Sequence, residues 1–181
     1  MKKVIYFIEF IVIKFFFTVC KLLGYRFSSN LGFIIGKTFG NIFRKKISII
    51  KNLKKSKISI DISEKKFAKN VLGNYGRILA EYPFLKDFRN NKLSNYIEID
   101  GIDNLEKIKK NNKPVVFISG HFNNFELMAM QIDKAEVDCA AIYRPLNNPY
   151  LNKIMEKIRK RDICKKQIKK GRSGTREIIK F

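Results

Sequence analysis

His121 is the only histidine in the chain, and it lies in the stretch SGHFNNFE, residues 119–126, five positions ahead of Glu126. A free imidazole titrates at about pH 6.5, so it can take up and return protons near neutrality. A carboxylate on its second ring nitrogen fixes the tautomer and stabilises the imidazolium that forms. Such a pair removes the proton from a hydroxyl, and the hydroxyl oxygen then attacks an acyl carbonyl directly. No serine or cysteine nucleophile is required.

Spacing alone does not create the pair. In an unbroken α-helix five residues turn through about 500°, which leaves two side chains about 140° apart. A break is needed between them, and the sequence offers one. VVFIS, residues 115–119, reads as a fully buried strand, Gly120 permits a sharp turn, and a helix follows from about Asn124 to Ile132. His121 then occupies a strand-to-helix corner and Glu126 the first helical turn, outside the carboxyl end of the strand, where open α/β sheets tend to bind ligands. Asn123 and Glu126 also fit a capping box, with Asn123 as N-cap and Glu126 three residues on. The local pattern leaves both readings open.

The elements that must position this corner are legible at intervals. Residues 4–23, VIYFIEFIVIKFFFTVCKLL, have the length needed to cross a hydrocarbon core of about 30 Å. Glu9 and Lys14 interrupt the run and are costly in lipid unless they face protein, water or each other. A membrane-embedded anchor is expected, with an interfacial amphipathic helix or a buried soluble helix as alternatives. The heavier basic group follows this segment, which places the bulk of the chain on the cytoplasmic side. Gly32, Gly36 and Gly40 recur every four residues and give a helix face suited to close packing, within a membrane or against the first helix. Residues 61–82 read as an amphipathic helix capped by Asp61 or Ser63 and closed by Pro83. Beyond it come a short strand at Tyr96, Ile97 and Ile99, a helix from Asn104 to Lys110, a turn at NNKP, the VVFIS strand, its helix, a strand at VDCAAIY, and helices at 148–161 and 174–181. This alternation implies an α/β sheet flanked by helices.

Composition narrows the partners. Lysine and arginine exceed aspartate and glutamate to give a formal charge of +22, which points to anionic partners such as lipid, phosphorylated substrate, acidic protein or nucleic acid. The lysines are spread along the chain without a recognisable nucleic-acid module, so nucleic acid is disfavoured. Cys20, Cys139 and Cys164 are odd in number, far apart, and form no CxxC or Cys/His cluster; they argue against a disulfide framework or zinc site and fit a reducing compartment.

SGHFNNFELM resembles the HxxxxD/E motif of the lysophospholipid acyltransferase superfamily, in the HFxNxE form of the lipid A biosynthesis lauroyl/myristoyl acyltransferases. NYGRILAEYPFL, IEIDGIDNLEKI, AAIYRPLNNPYLNKIMEKIRKR and KKGRSGTREIIK follow in the order that family would have. The resemblance implies a glycerolipid acyltransferase-like α/β fold, with residues 1–45 an N-terminal membrane anchor and membrane-proximal helices, and residues 46–181 a partial acyltransferase domain. Further strands and helices are expected beyond Phe181.

The activity implied is transfer of a fatty acyl chain from acyl-acyl carrier protein to a hydroxyl of a lipid A precursor, at the cytoplasmic face of the inner membrane. Neither a metal nor a cofactor is implied beyond that acyl donor. His121 resembles the general base and Glu126 its orienting carboxylate. Arg144 resembles a substrate-binding arginine, with a guanidinium fork suited to phosphate. Lys170, Arg172 and Arg176 have a composition that fits an anionic headgroup. The expected partners are acyl carrier protein, a phosphorylated lipid acceptor and the membrane. A glycerolipid acceptor, or a non-catalytic basic protein of the membrane surface, are the alternatives.

Overall fold

Helical periodicity dominates the chain, and the computed structural model follows it through nine α-helices and two short strands among the described residues, 2–111 and 113–181. α1 (Lys2–Leu23) is continuous and α2 (Tyr25–Phe43) follows after Gly24. The basic segment forms α3 (Lys46–Ser56), whose Ile49 and Leu53 are buried. Ser63 caps α4 (Glu64–Glu81) by accepting a hydrogen bond from the Lys66 amide, as its position predicts. Pro83 lies in the 3-10 turn that leads to the short α5 (Leu85–Arg89). Then come α6 (Ile102–Asn111), α7 (Glu126–Lys134), β1 (Ala140–Tyr143), α8 (Pro149–Ile158), β2 (Lys166–Lys169) and α9 (Arg172–Ile179).

The chain divides into two compact units, residues 15–84 and residues 1–14 with 85–181. The expected boundary at 45/46 does not coincide with this division, because the glycine face of α2 finds its partner on α4. A Cβ on Gly76 of α4 would lie 2.2 Å from the Gly32 carbonyl oxygen, and one on Gly36 would lie 2.4 Å from that of Leu72. Only glycine lets the two backbones approach so closely. Ile49, Ala68 and Leu72 form the adjoining core, flanked by Ile50, Phe67 and Val71. In the same unit Glu81 is buried and accepts hydrogen bonds from Ser29 Oγ at 2.7 Å and Tyr25 Oη at 3.4 Å.

The other unit is built on a strand-helix-strand crossover. β1 and β2 are parallel, with Ala140 opposite Lys166 and Tyr143 opposite Lys169, and α8 lies between them in sequence. Asn148 is the buried N-cap of α8. Its Oδ1 accepts from the amides of Tyr150 and Leu151, while its Nδ2 donates to the Tyr6 carbonyl at 2.8 Å and to Glu9 Oε2 at 2.9 Å. Glu9 therefore faces a polar partner on the protein, the condition that its place in an apolar run demanded.

Three expectations need correction. α1 has the length of a membrane span, yet no helix among the described residues is long and apolar enough to cross one. Glu9, Lys14 and Lys21 recur through it and leave no sufficiently apolar window. The strands expected at 96–99 and 115–119 are not formed. Residues 94–96 make a 3-10 turn, and 113–122 has no assigned secondary structure. Val116 and Ile118 are 84% and 92% exposed, so this apolar run is not the buried strand that its composition predicts. An extended segment becomes a strand only by pairing its backbone with a neighbour, and an apolar run names no neighbour. Part of the NNKP turn, Asn112, lies outside the described residues.

Candidate active site

The turn expected at Gly120 falls instead at Asn123, inside the HxxxxE motif. Asn123 takes a left-handed conformation with φ +45°, which asparagine tolerates better than most residues. The Phe125 amide bonds back to the Asn123 carbonyl at 3.0 Å and the Leu127 amide to that of Asn124 at 3.1 Å. α7 then begins at Glu126 itself. The capping box does not form, because Asn123 is turned into the corner and the N-cap position falls to Phe125, which makes no side-chain cap. A carboxylate in the first turn still complements the positive end of the helix dipole.

His121 is exposed, and its ring lies against Phe125 with centroids 4.3 Å apart and planes at 59°. Among the described residues no hydrogen bond joins the imidazole to Glu126. The buried Glu126 carboxylate is instead gripped by Arg159, whose Nε and Nη2 donate to Oε1 at 2.9 and 2.7 Å.

Arg159 leads into a wider polar assembly. Its guanidinium sits 5.7 Å from the centre of the Tyr143 ring. The Tyr143 hydroxyl donates to Glu156, which also accepts from Asn152 Nδ2 at 3.0 Å and pairs with Lys169 at 3.3 Å. Burial, with Glu156 beside it, pushes the Tyr143 phenol well above its ordinary range. The Tyr143 hydrogen bond, then those of Asn152 and Lys169, hold the Glu156 carboxyl below its usual value against the opposing effect of burial. Asn152 Oδ1 accepts from the Leu146 amide at 2.9 Å and so ties down the loop that begins with Arg144.

Arg144 and Lys170 are brought to one edge. They directly follow Tyr143 and Lys169, which are opposite one another in the parallel ladder, and the Lys170 amide extends that ladder to the Tyr143 carbonyl at 2.8 Å. Gly171 then turns the chain with φ +136°, and Arg172 opens α9. A Cβ on Gly174 would lie 1.8 Å from the Lys169 carbonyl oxygen, so this glycine lets α9 sit tightly on β2. Arg144, Lys170, Arg172 and Arg176 are all exposed. The first three lie at or just beyond the carboxyl ends of the two strands, and Arg176 lies further along α9.

Sequence reasoning did not single out Tyr143, Asn152, Glu156 or Arg159. Each sits in a segment read as strand or helix, and their roles emerge only when the crossover folds β1, α8 and β2 together. It also read the cysteines as dispersed, whereas the fold brings Cys139 Sγ to 3.4 Å from Cys164 Sγ.

Among the described residues the protein is mostly helical, with one two-stranded parallel sheet whose strand-helix-strand crossover carries basic residues at its carboxyl edge. The chain belongs to the bacterial lipid A biosynthesis acyltransferase family, whose model matches residues 1–180. No curated protein and no solved structure matches it. The family supplies the coarse activity, acyl transfer in lipid A biosynthesis.

Proposed function

We propose that the protein transfers a fatty acyl chain of the lauroyl or myristoyl class from acyl-acyl carrier protein to a hydroxyl of a phosphorylated lipid A precursor. The carrying observation is the corner at 120–125, which presents His121 to solvent immediately ahead of α7. In this reading His121 removes the acceptor hydroxyl's proton as the oxygen attacks the thioester carbonyl, then returns a proton to the leaving thiolate. Glu126 orients the imidazole in the substrate-bound state, since catalytic hydrogen bonds often tighten only with substrate present. Arg144 and Lys170, with Arg172 and Arg176, receive the acceptor's phosphate.

The exposed apolar residues of α1, among them Val4, Ile8, Ile11 and Phe15, support a seat in the membrane interface. Lys2 and Lys3 at the start of the same helix suit an anionic cytoplasmic leaflet of the inner membrane. The net charge of +22 would draw both an acidic carrier protein and a phosphorylated lipid.

The test is incubation of the protein with acyl-acyl carrier protein and a phosphorylated disaccharide lipid bearing a free hydroxyl. Product heavier by one acyl chain supports the reading. Transfer to a monosaccharide glycerolipid or to glycerol phosphate alone would reassign the acceptor, and no transfer would reject it.

The Glu126–Arg159 ion pair favours a second reading, a basic membrane-surface protein in which Glu126 is structural. It predicts that Glu126→Ala lowers thermal stability and leaves vesicle binding intact, with no acyl transfer in the parent protein to lose.

A further inference from the structure

Cys139 directly precedes β1 and Cys164 stands two residues before β2, so the parallel pairing of the strands brings the thiols together at the amino ends of the ladder. Their sulfurs are 3.4 Å apart and share a hydrogen bond in which either can be the donor. Cys164 is fully buried, and its sulfur also faces the Cys139 carbonyl at 3.0 Å. Cys139 is half-buried and lines an open cavity of about 400 Å³ beside Val116, Met128 and Ile142. One sulfur is thus reachable, and the other waits behind it.

Asp133 lies close enough to complete a three-ligand cluster with the two thiols. Both of its oxygens are already engaged, Oδ2 by Arg89 at 2.6 Å and Oδ1 by the Lys165 amide at 3.2 Å. A guanidinium on the carboxylate opposes a bound cation, and two thiols alone fall short of a closed zinc site. Redox chemistry fits the pair better than metal binding.

We propose that Cys139 and Cys164 form a reversible redox couple that a peroxide oxidises to an intramolecular disulfide and a dithiol reduces. The thiolate is the reacting species. Donation from Cys139 lowers the Cys164 pKa to about 7 and raises that of Cys139. The favoured anion is therefore the buried Cys164 thiolate, and passage of the shared proton across the 3.4 Å contact moves the charge to Cys139, the sulfur of the residue that lines the cavity, where it meets a peroxide. The Cys139 thiolate attacks the peroxide, its O–O bond breaks, and the departing oxygen takes up a proton to leave as alcohol or water. The resulting sulfenic acid is displaced by the Cys164 sulfur: the S–S bond forms, the S–O bond breaks, and water leaves. Two thiols lose two electrons, and one peroxide is reduced. The disulfide closes the loop carrying Arg144, Glu156 and Arg159 at the end of the strands opposite Arg144 and Lys170.

The reduced, folded protein is exposed to hydrogen peroxide, quenched, denatured, alkylated with N-ethylmaleimide, and mapped by mass spectrometry without reductant. The expected result is loss of two alkylatable thiols, a peptide cross-linked through Cys139 and Cys164, reversal by dithiothreitol, and Cys20 still alkylated. Cys20→Ser gives the same cross-link. Three alkylated thiols after peroxide, a sulfinic acid without cross-link in the parent protein, or a cross-link through Cys20 would each overturn the proposal.

Discussion

Arg159 donates twice to one oxygen of Glu126, and both side chains are largely shielded, 15% and 9% exposed. The carboxylate of the motif is thereby held by the residue that directly follows α8. Its charge is balanced within the protein at the start of α7.

Removing one partner of such a shielded pair strands the other charge. Arg159→Ala is expected to cost about 3–5 kcal/mol, measured by chemical denaturation. In a Glu126→Gln background the same change costs clearly less, because no ionised carboxylate remains to be stranded. Equal costs in the two backgrounds would mean the pair carries no coupling energy.

The α2–α4 contact makes a graded prediction. Gly76→Ala places a methyl 2.2 Å from backbone oxygen, whereas Gly40→Ala meets the Leu72 side chain at 3.0 Å. A side chain can yield where backbone cannot. Overpacking typically costs about 1–3 kcal/mol, and Gly76→Ala is expected at or above the top of that range, with Gly40→Ala near the bottom. Thermal midpoints of the two variants check the order.

Glu156 sets a pH dependence. Its folded pKa lies below the ordinary value of about 4.5, first because Tyr143 donates to it. The unfolded chain therefore binds the proton at higher pH than the folded one. Its stabilising contribution is present above about 4.5 and is lost as pH falls through the folded value. Glu156→Gln is expected to flatten the acid limb of a stability-against-pH curve, with denaturation midpoints as the readout.

Arg144 and Lys170 share the carboxyl edge of the ladder and are exposed, so they are removable without loss of folding. Each of Arg144→Ala and Lys170→Ala is expected to raise KM for a phosphorylated acceptor about tenfold or more, consistent with hydrogen bonds to charged groups worth about 1.5–3 kcal/mol. KM for a dephosphorylated acceptor should not change. Equal effects on both acceptors would detach these residues from the phosphate.

Legibility in the sequence followed the nature of the signal. α4 could be read from its apolar spacing, Ser63 and Pro83, and a turn before α7 from the asparagines, though not from Gly120, because these are local steric and hydrogen-bonding preferences. β2 could not: in KQIK only Ile168 is buried, so the strand carries almost no apolar pattern. VVFIS erred in the opposite direction, since apolarity states that a segment can be buried without stating against what. The glycine face of α2 was visible, but its partner α4 was not, as Gly73 and Gly76 lie in a helix read only for its apolar side. His121 and Glu126 were legible as residue types, and the ion pair with Arg159 was not, because it depends on a crossover that closes 33 residues later.

Acyl transfer by this protein depends most directly on His121 in the proposed reading. The initial rate of acyl transfer from acyl-acyl carrier protein to the phosphorylated acceptor should be compared between the parent protein and His121→Ala. A general base typically contributes about 10²–10⁴-fold, and the exposed imidazole gives little reason for a loss of folding. The expected result is a rate lower by at least about a hundredfold with an unchanged thermal midpoint. A variant that retains transfer within a few-fold of the parent would contradict it.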